Sequence, residues 1–240
     1  MRNPVEALVE AHRSGIPVAA ASIAAPANVA EAMQAQADIV RALGAEVAGW
    51  KVGMSGEDGT AAPMYRHLML PEAGRYARGG ATFLGIEVEI GFWVAKDIKS
   101  AADIPDALGA AFVGIEVVRS RLVEGGKCPF PLHLADNIAN GAYVVGPERA
   151  DWQKLDLGAL RCEVWRDGAV VHNAVGGHPQ KHPFAPMRAN ATNPIDKLGG
   201  FRAGQIITTG TLCGLVRIEQ TARIKARLEG FGEVSVEIVP

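Results

Sequence analysis

The chain has 240 residues, 48% of them hydrophobic and 21% charged, with a formal net charge of -2. That composition suits a soluble globular protein with one large domain and a substantial core. The near-neutral balance gives no electrostatic reason to expect nucleic acid or an anionic membrane as partner, and no apolar run approaches the roughly 20 residues of a membrane span. The Ala-rich stretch 16–27 faintly resembles a signal segment, but Glu6 and Glu10 precede it and Pro17 and Pro26 interrupt it. A cytoplasmic protein is therefore expected. Cys128, Cys162 and Cys213 form no Cys-x-x-Cys pair and no even framework, which suggests reduced, buried thiols.

Residues 4–13 read as a short helix, with Pro4 near its first turn and Gly15 past its end. Asn28 is placed to cap a second helix reaching Leu43, where Val29, Met33, Ile39, Val40 and Leu43 form an apolar stripe before Gly44. Residues 1–44 are thus expected as a helical arm packed on a domain of residues 45–240. From Ala45 onward, short strands punctuated by glycine take over. Strands are expected at 46–52, 82–95, 111–118 and 141–145. A Gly/Ser/Asp loop falls at 55–59, a short helix at 101–108 and a helical turn at 133–139. Asp167-Gly168 is a hairpin turn between strands at 160–165 and 169–173. A helix at 183–191, a strand at 205–209 and a last hairpin (222–228 and 233–239) complete the chain. Strands dominate without the regular strand–helix alternation of a Rossmann domain. The expected class is α+β, built on a rolled, mostly antiparallel or mixed sheet.

One strand stands apart. Gly85-Ile86-Glu87-Val88-Glu89-Ile90 alternates apolar and acidic residues, so Glu87 and Glu89 project together from one face. Two such carboxylates repel unless water screens them or a cation joins them. A solvated strand face is the plain explanation of a lone Glu-x-Glu. However, Gly85-Ile86-Glu87-Val88 is echoed by Gly114-Ile115-Glu116-Val117, which offers a third carboxylate. An all-oxygen set of that kind suits Mg²⁺ or Mn²⁺ far better than zinc or copper.

Lys51 lies inside an apolar strand between Gly49 and Gly53. It is either a lysine snorkelling from a strand edge or a group that holds a substrate carboxylate or shuttles a proton. Asp136 and Asn137, before Gly141, fit a turn or a polar pocket segment. His178, in Gly176-Gly177-His178-Pro179, fits a surface loop or a binding loop. Thr211, in Thr208-Thr209-Gly210-Thr211, follows a strand and can present a hydroxyl to an anion. The chain has no dinucleotide fingerprint, no P-loop, no Gly-x-Ser-x-Gly elbow and no His-Glu-x-x-His.

Six motifs occur in one order: Gly49-Trp50-Lys51-Val52-Gly53, Glu87-Val88-Glu89, Gly114-Ile115-Glu116-Val117-Val118, Ala135-Asp136-Asn137, Gly177-His178-Pro179 and Thr209-Gly210-Thr211-Leu212. The series resembles the 2-keto-4-pentenoate hydratase/4-oxalocrotonate decarboxylase family of the fumarylacetoacetate hydrolase superfamily, from about Ala45 to the C-terminus. The resemblance implies that superfamily's rolled sheet, with Glu87, Glu89 and Glu116 as ligands of Mg²⁺ or Mn²⁺. It implies Lys51 and Asp136 as catalytic residues, and Asn137, His178 and Thr211 as substrate-binding ones. The implied activity is that of a lyase adding water to a 2-hydroxy-2,4-dienoate to give a 4-hydroxy-2-oxo acid, as in aromatic meta-cleavage catabolism. Decarboxylation, acylpyruvase-type C–C hydrolysis and non-catalytic binding of a 2-oxo acid are the alternatives. A homo-oligomer with a small-molecule substrate follows by the same analogy. One departure is visible: the family's Pro-Asp-(Phe/Tyr)-Gly segment corresponds to Pro63-Met64-Tyr65-Arg66, where Met64 replaces the acid. His67 is the nearest titratable substitute. On a helix it shares a face with Met64, and its imidazole suits a general base near neutrality; otherwise it is a surface residue.

Overall fold

The structure is a computed structural model, and it describes residues 1–192 and 197–240. Two helices open the chain, α1 (Pro4–Ser14) and α2 (Val29–Leu43). Their ends are set by local chemistry. Asn3 and Asn28 accept hydrogen bonds from first-turn amides, and Gly15 and Gly44 close the last turns in the left-handed conformation. The buried faces of both helices join the main core.

The strands follow. They are β1 (Val47–Ser55), β2 (Asp58–Tyr65), β3 (Met69–Leu70), β4 (Gly74–Ala77), β5 (Leu84–Val94), β6 (Leu108–Arg119) and β7 (Asn140–Arg149). The short helices α3 (Ile104–Ala107) and α4 (Phe130–Ala135) flank β6. The remainder comprises β8 (Arg161–Arg166), β9 (Ala169–Val175), α5 (Phe184–Thr192), β10 (Ile206–Thr211), β11 (Val216–Arg217), β12 (Ala222–Leu228) and β13 (Gly232–Val239).

They build two sheets. The larger has the order β2-β1-β10-β5-β6-β7-β3, with β11 also on β5; the smaller has the order β4-β13-β12-β8-β9. Most pairs are antiparallel, while β1–β10, β3–β7 and β4–β13 are parallel. The expected mixed-sheet α+β fold is what the chain adopts.

Both faces of the larger sheet are covered. One face carries Trp50, Val52, Ile86, Val88, Ile90, Phe92, Val113, Ile115, Val117 and Ile207 into the main core. The other holds a small apolar floor of Met64, Phe112, Tyr143 and Ile206. Register places Lys51, Thr208, Glu87, Glu89 and Glu116 on that second face. Close packing there depends on missing side chains. A Cβ on Gly91 would lie 2.3 Å from the Phe112 ring, and one on Gly49 would lie 2.4 Å from the Ile206 carbonyl. No helix among the described residues is long and apolar enough to cross a membrane.

Candidate active site

The two echoed strands are neighbours. β5 and β6 pair antiparallel with Glu87 directly opposite Glu116 and Glu89 opposite Gly114. The three carboxylates therefore converge, with one oxygen of each within 4.8 Å of the others. Glu89 and Glu116 are both 0% exposed, which rules out a solvated strand face. Glu116 Oε1 accepts a hydrogen bond from Asn140 Nδ2 at 2.9 Å, whereas neither oxygen of Glu89 makes a well-formed hydrogen bond. Burial, reinforced by the Glu116 charge, pushes the Glu89 carboxyl up to about 8, and burial also raises Glu116.

Lys51 reaches this cluster from β1. Its Nζ lies 2.7 Å from Glu116 Oε2 and 3.5 Å from both Glu87 Oε2 and the Ile138 carbonyl. It is not a strand-edge lysine. Burial works against its charge, but Glu116, Glu87 and Glu89 together overcome that and hold its pKa above the usual lysine value. When ionised, three carboxylates against one ammonium leave two negative charges uncompensated inside the protein. A divalent cation fits that deficit, and the oxygen-only donor set suits Mg²⁺ or Mn²⁺. The unpaired oxygens of Glu89 are the ligand atoms with least reason to exist otherwise.

The other sequence candidates divide. Thr211 stands opposite Glu89 in the β10–β5 ladder, just beyond an irregularity at Thr208–Thr211. Its hydroxyl donates to the Gly214 carbonyl at 3.2 Å and accepts from the Cys213 amide at 3.3 Å. Asn137 is 2% exposed and begins a run of three left-handed residues, Asn137, Ile138 and Ala139. Its side-chain carbonyl has no partner, and the Tyr65 hydroxyl faces it without a well-formed bond.

Asp136 and His178 are both bonded to neighbouring groups. The Asp136 carboxylate is tied to Arg121 and to Ser120, whose Oγ donates at 2.7 Å. Arg121 in turn binds the carbonyls of Asp136 and Asn140. Asp136 thus pins the turn that covers Lys51, and its oxygens are already used. His178 bonds the Thr209 carbonyl through Nε2 at 2.7 Å and accepts from the Gln180 amide at Nδ1. Both ring nitrogens are spent on fixing the loop.

His67 is a correction to its expected role. Met64 belongs to β2 and points into the apolar floor, so the shared helical face on which His67 depended does not exist. His67 lies in the 3-10 turn Arg66–Leu68, is exposed, and stacks on Tyr65 at 5.8 Å. It shares a small cavity with His12, Arg119 and Arg121 instead of joining the glutamates. His67→Gln is expected to keep parental turnover, an unchanged acid limb in the pH–rate profile, and stability within about 0.5 kcal/mol. Loss of activity in that variant would return His67 to the site.

Tyr143 and His133 carried no signal in the sequence, whereas Thr208 lies in the threonine run already singled out. Tyr143 and Thr208 each bring a buried hydroxyl with no well-formed hydrogen bond to the carboxylate face. His133, on α4, has a buried and unpartnered Nδ1; burial and the nearby Lys51 and Arg121 cations push its pKa down to about 4. It is a neutral imidazole at pH 7.

Residues 28–239 match the fumarylacetoacetate (FAA) hydrolase C-terminal family, and the chain belongs to it. Among relatives, it is 30% identical over 156 residues to 2-hydroxyhexa-2,4-dienoate hydratase of Comamonas testosteroni, covering 63% of this chain and 58% of that one. It is 27% identical over 137 residues to 4-oxalocrotonate decarboxylase of Pseudomonas putida, covering 57% and 52%. The matches thus span little more than half the length of these curated relatives. The fold is that of 4-oxalocrotonate decarboxylase from Pseudomonas putida G7, complexed with magnesium and adipate. That match has a TM-score of 0.85 at 20% identity and covers 98% of this chain and 96% of that one.

Proposed function

We propose that the chain is a divalent-metal-dependent hydro-lyase that adds water to a 2-hydroxy-2,4-dienoate, giving a 4-hydroxy-2-oxo acid. The observation that carries this reading is the cluster of buried Glu89 and Glu116 with half-buried Glu87, and Lys51 at 2.7 Å from one of its members. The named activities of the hydratase relatives support the substrate class. Residues 45–240 are read as the catalytic part and residues 1–44 as an arm upon it. A cytoplasmic location, a homo-oligomer and a small-molecule partner belong to the same reading.

Glu87, Glu89 and Glu116 are the residues that would hold Mg²⁺ or Mn²⁺. Bound there, the ion supplies Lewis-acid polarisation of the substrate's 2-oxygen. Lys51 supplies a fixed positive charge in the same buried space, suited to a substrate carboxylate and to the negative charge that develops as the double bonds shift. The ammonium is held protonated by its carboxylate neighbours, so it positions and stabilises more readily than it accepts a proton. The apolar floor of Met64, Phe112, Tyr143 and Ile206 keeps water from that end of the site. Asn137 Oδ1 on the covering segment and Tyr65 Oη at the end of β2 are unpaired and available to orient a water.

Decarboxylation is the second reading, favoured by the 4-oxalocrotonate decarboxylase relative and by the shared need to stabilise the same dienolate charge. A panel of 2-hydroxydienoates and 2-oxo acids, incubated with Mg²⁺ and followed by loss of diene absorbance with product analysis, separates the possibilities. A 4-hydroxy-2-oxo acid supports hydration, and carbon dioxide release supports decarboxylation. Cleavage to two acids supports C–C hydrolysis. A thermal shift without turnover assigns a binding protein.

A further inference from the structure

The groups around Glu89 are more specific than a three-carboxylate cluster requires. Glu89 on β5 faces Gly114 on β6, and Gly114 has no side chain to fill the space between them. That space is entered from the next strand. Tyr143 on β7 pairs with Glu116, yet its ring leans over Gly114. A Cβ built on Gly114 would lie 2.2 Å from Tyr143 Oη and 2.5 Å from ring carbons. The phenol is thereby delivered across β6 into the row occupied by Glu89.

On the opposite flank, Thr208 of β10 pairs with Gly91, two residues along the same face from Glu89. Tyr143 is 1% exposed, while Thr208 and Glu89 are 0% exposed. Neither hydroxyl makes a well-formed hydrogen bond, and neither does either oxygen of Glu89, although Thr208 stands close enough to Glu89 to favour its ionised form. Two hydroxyls thus flank a buried carboxyl group with no well-formed bond between them, where leaving such groups unpaired is costly. A phenol is protonated near neutrality, so Tyr143 can serve as a donor there.

We propose that the Tyr143 and Thr208 hydroxyls are positioning donors for Glu89, orienting its carboxylate for a divalent cation, and that Gly114 is the gap through which Tyr143 acts. The inference rests on the metal-dependent reading above and adds residues that hold a ligand instead of contacting substrate. Groups that orient a metal ligand in this way commonly change affinity by about 10–100-fold when removed.

The test is a direct Mn²⁺ titration of the whole protein, followed by electron paramagnetic resonance, alongside melting of the metal-free protein. Tyr143→Phe keeps the ring that packs against Phe112 and loses only the hydroxyl. It is expected to weaken Mn²⁺ binding about 10–100-fold, with the metal-free Tm unchanged or higher because an unpaired buried hydroxyl has gone. Thr208→Val is expected to act in the same direction. Parental Mn²⁺ affinity in both variants would overturn the inference and leave the metal reading standing. A lowered metal-free Tm with parental affinity would also overturn it, by assigning the hydroxyl to packing. A parent protein that itself fails to bind Mn²⁺ would overturn the metal reading, and this inference with it.

Discussion

Lys51→Met is expected to cut turnover by about 10²–10⁴-fold, the range for a positioned charge or proton-transfer group, while the chain still folds. The lysine has two separable effects. On the proposed reading it is the cationic wall of the site when substrate is bound. In the metal-free protein it is the counter-charge for Glu116, 2.7 Å away and wholly buried. Removing one partner of such a pair costs about 3–5 kcal/mol, because the other charge is left unpaired. That is a large share of a typical stability of about 5–15 kcal/mol, though less than all of it. Glu116 can limit the loss by taking up a proton, so the deficit should shrink at acid pH. Saturating Mg²⁺ should shrink it as well, by returning positive charge to the carboxylates. Melting curves with chelator and with Mg²⁺ measure the stability effect, and steady-state kinetics measures the catalytic one. Parental turnover would reduce Lys51 to a structural counter-ion.

The centre of this site was legible because strand periodicity and pairing register are both written in residue order. Alternation put Glu87 and Glu89 on one face, and the repeated Gly-Ile-Glu-Val wording put Glu116 on a partner strand. Antiparallel pairing then made Glu87 and Glu116 direct neighbours. Asp167 and Gly168 both adopt positive φ, as the hairpin turn between β8 and β9 requires. Asn28 and Gly44 bounded α2 for equally local reasons.

What stayed hidden depends on contacts between distant segments. Residue order marks no strand at β2, and the stretch 55–59 reads as a loop, whereas only Gly56–Glu57 is a turn and the rest extends β1 and β2. From Gly59 to Tyr65 every residue of β2 is buried, so no polar–apolar alternation marks it as a strand. Pro63 argues against a central strand, but β2 lies at the sheet edge, where a missing N–H costs little. The missing strand signal carried His67 into the site, since a helical reading of the segment is what aligns it with Met64. Tyr143 was invisible for a different reason. Its reach depends on Gly114 being the residue next door, which only the β6–β7 register reveals. Residue order marks Asp136 and His178 as polar residues but not their bonding partners, Arg121 and Thr209.

Metal affinity is expected to rise with pH by about tenfold per unit up to about pH 8 and then level off, because a cation and a proton compete for Glu89. The sign follows from the burial of that residue. Its carboxyl is pushed up to about 8 in the folded protein, against 4.5 for an ordinary glutamate. Between those two values the folded chain holds a proton that the unfolded chain has released. The contribution to metal-free stability is therefore fully present below about pH 4.5 and is lost as pH rises through about 8. Metal-free protein should melt higher at about pH 6 than at about pH 8 if Glu89 dominates the trend. The metal-loaded protein should show the opposite preference, since the cation displaces the proton and binds best where none must be expelled. Chelation should consequently lower Tm more at the higher pH. Calorimetric titration with Mn²⁺ in buffers of different ionisation enthalpy counts the proton released. Glu89→Gln is expected to bind metal poorly and to lose the pH dependence of metal-free stability, having no carboxyl to titrate. An affinity that stays flat across this range, with no proton released, would show that Glu89 is already ionised before metal arrives. The two hydroxyls beside it would then be paired to a carboxylate in the metal-free protein.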